Sequence, residues 1–321
     1  MRHFDIFNGD ADGICSLVQL RLDRPVKSQL VTGVKRDVQL LHRIADQIQA
    51  GYVLTVLDIS LEQNLAPLQQ ILSNRAQVFY ADHHRAPAIP SCANLHAHIN
   101  TAANTCTGLI IDHYLQGKYR EWAIVAAYGD NLTPVADELC KLEQLTNEQS
   151  AVLKRLGIAL NYNGYGMNLE DLHYHPEALF EAAVKYASPL EFAEQEKRIL
   201  STLEGGYNDD IERALAIAPE QTSASSCLVR LPDAAWSRRI SGPLGNELAN
   251  RHPGRAHAIL TPIKAKNEFQ VSIRAPKRNF SAADEVANEF GGGGRKGAAG
   301  INNLHESQID RLWEVLNSTY S

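Results

Sequence analysis

Along the first hundred positions the apolar residues fall into two alternating rhythms. Short β-prone runs, "HFDIFN", "QLVTGV", "YVLTVLDIS" and "AQVFYADHH", are separated by stretches with helical spacing, "GICSLVQLRL", "VQLLHRIADQIQA" and "LAPLQQILSN". Strand and helix alternating at this length predict right-handed βαβ units and a parallel sheet. From about residue 102 to 203 the pattern turns helical, through "CTGLIIDHYL", "EWAIVAAYGD", "EQSAVLKRLGIAL" and "PLEFAEQEKRILSTL". The first two of these are expected to pack on the sheet. Glycine and acid cluster in "LEGGYNDD", residues 203–210, which reads as a loop or hinge. Strands then resume at "ALAIAP", "SCLVRLP", "HAILTPI" and "FQVSIRA", with helices expected at "RRISGPLGNELANR" and "SAADEVANEF". The pattern predicts an α/β protein with a second, smaller α/β domain.

Composition narrows the class. A chain of 321 residues fills about two domains. Its 44% apolar and 21% charged residues are those of an ordinary globular protein, and no apolar run reaches membrane-spanning length. The start, Met1-Arg2-His3-Phe4-Asp5, has no long apolar segment behind it, so no secretory signal and a cytoplasmic location are expected. Five cysteines with no C-x-x-C pair argue against a disulfide framework or a zinc knuckle and read as reduced packing residues. Charge is unevenly spread. Residues 251–300 carry an excess of +5, which leaves −11 for the remainder of a chain whose total is −6. An acidic body with a basic lobe suits metal on one wall and phosphate on the other.

Candidate chemistry collects where parallel sheets bind ligands, at the carboxyl ends of strands. Asn8, Asp10 and Asp12 follow the first run, Asp58 follows "YVLTVL", Asp82, His83 and His84 follow "AQVFY", and Asp130 ends "AAYGD". Carboxylates concentrated on one edge repel one another, and divalent cations remove that repulsion. Five carboxylates and one or two imidazoles are enough for two ions about 3.5–4 Å apart with one bridging carboxylate. Mixed Asp and His ligation favours manganese over calcium, whereas zinc more often takes cysteine or further histidine. Asp12 or Asp58 could instead cap a helix. His83 and His84, as neighbours on a strand, face opposite ways unless a turn intervenes. The other histidines have no comparable context and read as surface or core residues.

Near the carboxyl terminus "EFGGGGRKGAAGI" sets Gly291, Gly292, Gly293 and Gly294 before Arg295 and Lys296. Glycines let backbone amides approach an anion and the two cations add charge, so a phosphate or nucleotide cradle is expected, with a flexible linker as the alternative. Arg274 in "VSIRAPKR" ends a strand and could face the same cleft, or simply be an exposed strand-end charge.

The ordered set "FNGDADG", "VLDIS", "ADHH", "AYGDN", "VSIRA" and "GGGGRKGAAG" resembles the DHH phosphoesterases that carry the DHH-associated carboxy-terminal domain, over residues 3 to about 303. The resemblance implies a DHH metal-binding domain at 1–185, a helical linker or hinge at 186–210 and a smaller substrate-binding α/β domain at 211–321, facing across a cleft. It implies two manganese ions held by Asp10, Asp12, Asp58, His83 and Asp130, with Asp58 the bridge and Asn8 a less certain ligand. Asp82 would support the site, and His84 would lie near the scissile phosphate as catalytic residues. Arg274, Gly291–Gly294, Arg295 and Lys296 would bind substrate. Two departures stand out. Ile6 occupies a place where many relatives have a histidine ligand, and Arg295 stands where the glycine loop usually runs into histidine.

The implied reaction is hydrolysis of a phosphodiester by metal-activated water, with no protein nucleophile. Only about twenty residues follow "GAAGI". Short substrates are therefore expected: linear dinucleotides or very short oligoribonucleotides, pGpG among them, yielding nucleoside monophosphates, with no membrane or long nucleic acid as partner. Oligomeric state is left open, a homodimer included. The alternatives are a phosphatase acting on 3′-phosphoadenosine 5′-phosphate, a RecJ-like single-strand exonuclease and a non-catalytic nucleotide-binding module.

Overall fold

Strand β1 (His3–Phe7) shows how the first sheet is built: Phe4 and Ile6 point into one core, Phe7 into the other. Asp5, buried between them on the Phe7 side, is held by two guanidinium nitrogens of Arg21, Nε and Nη2, and the latter also reaches Thr55. The remaining elements of residues 1–204, the first of two compact units, follow in order. They are α1 (Ala11–Asp23), β2 (Gln29–Val31), β3 (Val53–Leu57), α2 (Leu65–Ser73), β4 (Gln77–Asp82), β5 (Leu95–Ile99), α3 (Thr107–Tyr114), α4 (Arg120–Gly129), α5 (Thr133–Leu142), α6 (Asn147–Gly164), α7 (Pro176–Ala183) and α8 (Pro189–Gln195). The computed structural model describes residues 2–263 and 267–321, so Lys264 and Lys266 of the basic 251–300 segment lie outside the described residues.

All five strands run parallel in the order β2-β1-β3-β4-β5, with Phe4 opposite Leu54 and Leu57 opposite Ala81. The chain moves outward in one direction from β1 to β2 and in the other from β3 to β5. That leaves a switch point between β1 and β3, where the loops part and a ligand crevice forms. One core packs α1, α3, α4 and α6 on one face, and the other packs Leu40, Leu41, Ile44, Leu68 and Ile71 on the opposite face.

The second unit, residues 205–321, holds β6 (Gln221–Thr222), β7 (Ser226–Arg230), α10 (Ala235–Arg251), β8 (Ala256–Pro262), β9 (Glu268–Arg274), α11 (Ala283–Asn288), β10 (Gly293–Arg295), β11 (Ala298–His305) and α12 (Ile309–Tyr320). Its sheet has the order β10-β11-β9-β8-β7-β6, antiparallel except for β7 with β8. The unit boundary falls inside α9 (Lys197–Leu215). Among the described residues no helix is long and apolar enough to cross a membrane.

Four expectations change. Residues 203–210 are helical rather than a loop, and "ALAIAP" opens as the last turn of α9 rather than as a strand. Buried Leu200, Leu203 and Ala214 anchor the helix on either side, which outweighs the roughly 1 kcal/mol that each glycine costs. The segment 38–50 forms two short 3-10 turns, Leu40–Arg43 and Ala45–Gln47, instead of one helix. There Asn64 takes over the backbone, accepting from the Leu41 amide and donating to the Val38 carbonyl. The run 189–203 is broken at Glu196 into α8 and α9.

Candidate metal centre

The loop after β1 turns sharply because its glycines let backbones touch. A Cβ on Gly13 would lie 2.2 Å from the Asn8 carbonyl oxygen, and one on Gly9 would lie 1.9 Å from that of Gly33. Asp10 caps α1, its Oδ1 accepting from the amides of Asp12 and Gly13 at 3.0 and 3.1 Å. The helix-cap role that the sequence left open for Asp12 or Asp58 thus belongs to Asp10. Asn8 donates through Nδ2 to the Lys35 carbonyl, while its buried Oδ1 has no partner among the described residues.

Asp12, in the first turn of α1, accepts from the first amides of α3, Thr107 to Oδ2 at 2.8 Å and Gly108 to Oδ1 at 2.7 Å. Asp58 follows β3 with φ +57°, a left-handed backbone that side chains other than glycine adopt at a cost. Its Oδ1 accepts from the Thr107 hydroxyl at 3.3 Å. At the end of β4, Asp82 Oδ1 accepts from the amides of both His83 and His84 and from His84 Nδ1 at 2.6 Å. This is the turn that the adjacent histidines needed, and it brings their rings to one side, 4.6 Å apart.

His83 Nδ1 donates to the Thr105 carbonyl at 3.1 Å, which fixes the tautomer and leaves Nε2 with its lone pair inward. That nitrogen lies 3.4 Å from Asp58, 3.6 Å from Asp130 and 3.8 Å from Asp12. Two sets of donor atoms lie within 4.8 Å of one another: Asp12, His83 and Asp130, and Asp58, His83 and His84. Burial, followed by Asp12 and Asp10, holds the Asp58 carboxyl well above the usual carboxylate range. Burial also raises Asp12, against the pull of His83. Buried oxygens that resist sharing negative charge, converging on an imidazole lone pair, fit a divalent cation, and this borderline donor set suits manganese. Burial opposes protonation of His84, but the bond to Asp82 together with the Asp82 and Asp58 charges outweighs it and raises the pKa above the ordinary histidine value.

Asp10 stands outside both sets. Its Oδ2 is bound by the ammonium of Lys35, a residue that sequence reasoning missed. Lys35 follows β2, so the strand-end rule that singled out the aspartates would have found it had cations been included. Its ammonium also donates to Asn161 Oδ1 at 2.8 Å, lies 3.5 Å from Asp130 Oδ1 and sits over the Tyr165 ring. Burial alone would depress its pKa, yet Asp10, Tyr165 and Asp130 together outweigh it and raise the pKa well above the ordinary range. Ile6 is packed in the apolar core.

In the second unit, Arg274 Nε donates to Asn246 Oδ1 at 2.7 Å and its Nη1 to the Ile273 carbonyl, so the guanidinium lies along α10. Gly245 makes room for it, since a Cβ there would come within 3.2 Å of Arg274 Cγ. The amides of Gly291 and Gly292 return to the carbonyls of Asn288 and Ala287, closing α11, while Gly293, Gly294 and Arg295 pair with β11. Arg295 and Lys296 are exposed at this hairpin.

No family model matches the chain, and no curated protein matches it. Among solved structures it is similar to RecJ from Thermus thermophilus in complex with Mn2+, at 14% identity and TM-score 0.66, over 99% of this chain and 52% of that one. The chain thus spans about half the length of that RecJ. It is similar to a second structure of exonuclease RecJ bound to manganese, at 15% identity and TM-score 0.64, over 99% of this chain and 90% of that one. A third likeness is to the pGpG-specific phosphodiesterase PggH from Vibrio cholerae, at 14% identity and TM-score 0.53, over 100% of this chain and 99% of that one. From its parallel sheet through its second α/β unit, the chain has the fold of the DHH phosphoesterases.

Proposed function

We propose that this chain is a manganese-dependent phosphodiesterase that hydrolyses linear dinucleotides or very short oligoribonucleotides, pGpG a leading candidate, to nucleoside monophosphates in the cytoplasm. The observation that carries the reading is the convergence of Asp12, Asp58 and Asp130 on a single imidazole nitrogen at the sheet's switch point. A bound ion would supply Lewis acidity and a hydroxide at neutral pH. The chain's own residues do the rest. Asp12, Asp58, Asp130 and His83 would hold the ion, the Thr105 carbonyl orients the His83 ring by accepting from Nδ1, and the Thr107 hydroxyl aims Asp58. His84, one-third exposed and held by Asp82, is placed to give a proton to the leaving oxygen. Arg274 at the end of β9, and Arg295 and Lys296 on the hairpin opened by Gly291–Gly294, are assigned to substrate.

Metal-stripped protein should be resupplied with manganese and given 5′-phosphorylated dinucleotides, an RNA length series and 3′-phosphoadenosine 5′-phosphate, with products resolved by chromatography. Release of mononucleotides from dinucleotides, fastest for the shortest substrates, is the expected result. Release of inorganic phosphate from the bisphosphate alone would overturn it. The higher TM-scores with the two RecJ structures favour single-strand exonuclease activity as the second reading, and equal rates along the length series would establish it.

A further inference from the structure

We infer that Lys35 is a built-in cation that occupies the Asp10 end of the carboxylate cluster, so that the site takes one tightly bound divalent ion, on His83, rather than two. The inference rests on the metal-dependent reading above and narrows it.

Three observations carry it. First, both donor sets pass through His83, whose Nδ1 is committed to the Thr105 carbonyl, so they share the single atom Nε2. One imidazole nitrogen coordinates one ion. A second ion would therefore have to be assembled from the carboxylates beyond it. Second, the carboxylates at the Asp10 end are engaged. Asp10 gives Oδ1 to two backbone amides and Oδ2 to the Lys35 ammonium. Asp130 divides its oxygens, Oδ1 toward the Lys35 ammonium at 3.5 Å and Oδ2 toward His83 Nε2 at 3.6 Å. Third, the ammonium is held in place independently of the carboxylates, by Asn161 Oδ1 at 2.8 Å and by the Tyr165 ring at 5.5 Å. The Lys35 backbone is itself pinned, its amide donating to the Gly164 carbonyl at 2.7 Å and its carbonyl accepting from Asn8. A long surface lysine does not ordinarily meet such a seat, and an ammonium does for Asp10 what an ion would: it neutralises a buried carboxylate.

The test needs no substrate, so it stands whatever the substrate proves to be. Metal-stripped parent and Lys35→Met should be titrated with manganese while the electron paramagnetic resonance signal of free aqueous manganese is followed. The parent is expected to take up one tight equivalent. Lys35→Met is expected to take up two, and its thermal midpoint should rise with manganese more steeply than the parent's. Lys35→Arg, which keeps the charge, should stay at one. A parent that binds two ions with similar affinity overturns the inference and leaves the metal-dependent reading intact. Lys35→Met that still binds one, with an unchanged thermal response, also overturns it. A parent that binds no ion removes both readings. Should Lys35→Met fail to fold even with manganese present, the parent stoichiometry decides: one tight equivalent supports the inference and two overturn it.

Discussion

Replacing His257 with leucine should make the protein markedly less sensitive to mild acid. His257 lies on β8, fully buried, between Cys227 on β7 and Arg274 on β9. Neither ring nitrogen has a hydrogen-bond partner among the described residues; the Arg255 backbone, which would favour the charged ring, approaches without hydrogen-bond geometry. Burial first, then the His252 ring 6.3 Å away and the Arg255 charge, lower the pKa from 6.5 to about 4. The folded state therefore keeps the ring neutral, whereas the unfolded chain binds a proton near 6.5. Stability is full above pH 6.5 and is lost as pH falls toward 4, because the unfolded state then binds more protons. At 1.36 kcal/mol per pKa unit, the loss is about 2 kcal/mol by pH 5 and approaches about 3 kcal/mol below pH 4. Urea unfolding of parent and His257→Leu between pH 7.5 and 5 should thus show the parent losing about 2 kcal/mol more than the variant. At pH 7.5 the variant should be at least as stable, since two unsatisfied buried nitrogens are removed. Parallel stability curves across this range would refute the argument, because they would mean that the ring charges as readily inside the fold as outside it.

Other outcomes follow from the first unit and from the hairpin. Asp58→Gly should fold at least as well as the parent, because glycine prefers the left-handed backbone at this position, yet lose activity by about a hundredfold or more; a thermal midpoint several degrees below the parent's, or near-normal turnover, would contradict this. Dinucleotides should be turned over faster than RNAs beyond about six nucleotides, and a flat length profile would count against the short-substrate reading. Arg295→Ala should lower catalytic efficiency by roughly ten- to a hundredfold, equivalent to the 1.5–3 kcal/mol of a charge-assisted phosphate contact, with manganese binding unchanged. Arg295→His should keep part of that activity. Parent-like kinetics in both variants on phosphorylated and unphosphorylated dinucleotides would make Arg295 a solvated charge.

Where burial enforces periodicity, the sequence was legible. β1, β3 and β4, each largely buried on both faces, and α1 through α4 apart from local boundaries, lie where the alternating rhythms put them. β5 went unread because its edge position lets His96 and His98 alternate with modest apolar residues, and the strand is only partly buried. The segment around Leu40, Leu41, Ile44, Ala45 and Ile48 has helical spacing, but it satisfies its backbone through Asn64, a partner distant in sequence. The same physics governs the candidate site. Carboxylates at strand ends announce themselves by type and spacing, and Asp12, Asp58, Asp130 and His83 do converge. Lys35 and Thr107 do not announce themselves, because a lone lysine or threonine in a polar stretch looks like solvated surface until the fold supplies its acceptors.

Asp12 meets its two amides across ninety-five residues of chain, and the other supports of the cluster arrive later still, Asp130 at the end of α4 and Asn161 within α6. On a ribosome adding about 5–20 residues per second, the first motif therefore waits several seconds for its partners. Through that interval the nascent chain carries Asp10, Asp12, Asp58 and Asp82 without the helix ends and side chains that later bury and align them. On the proposed reading, metal capture is a late event in the life of the chain, and the appearance of a tight manganese site in a series of stalled, progressively longer nascent chains would date the closing of the first unit to the emergence of α6.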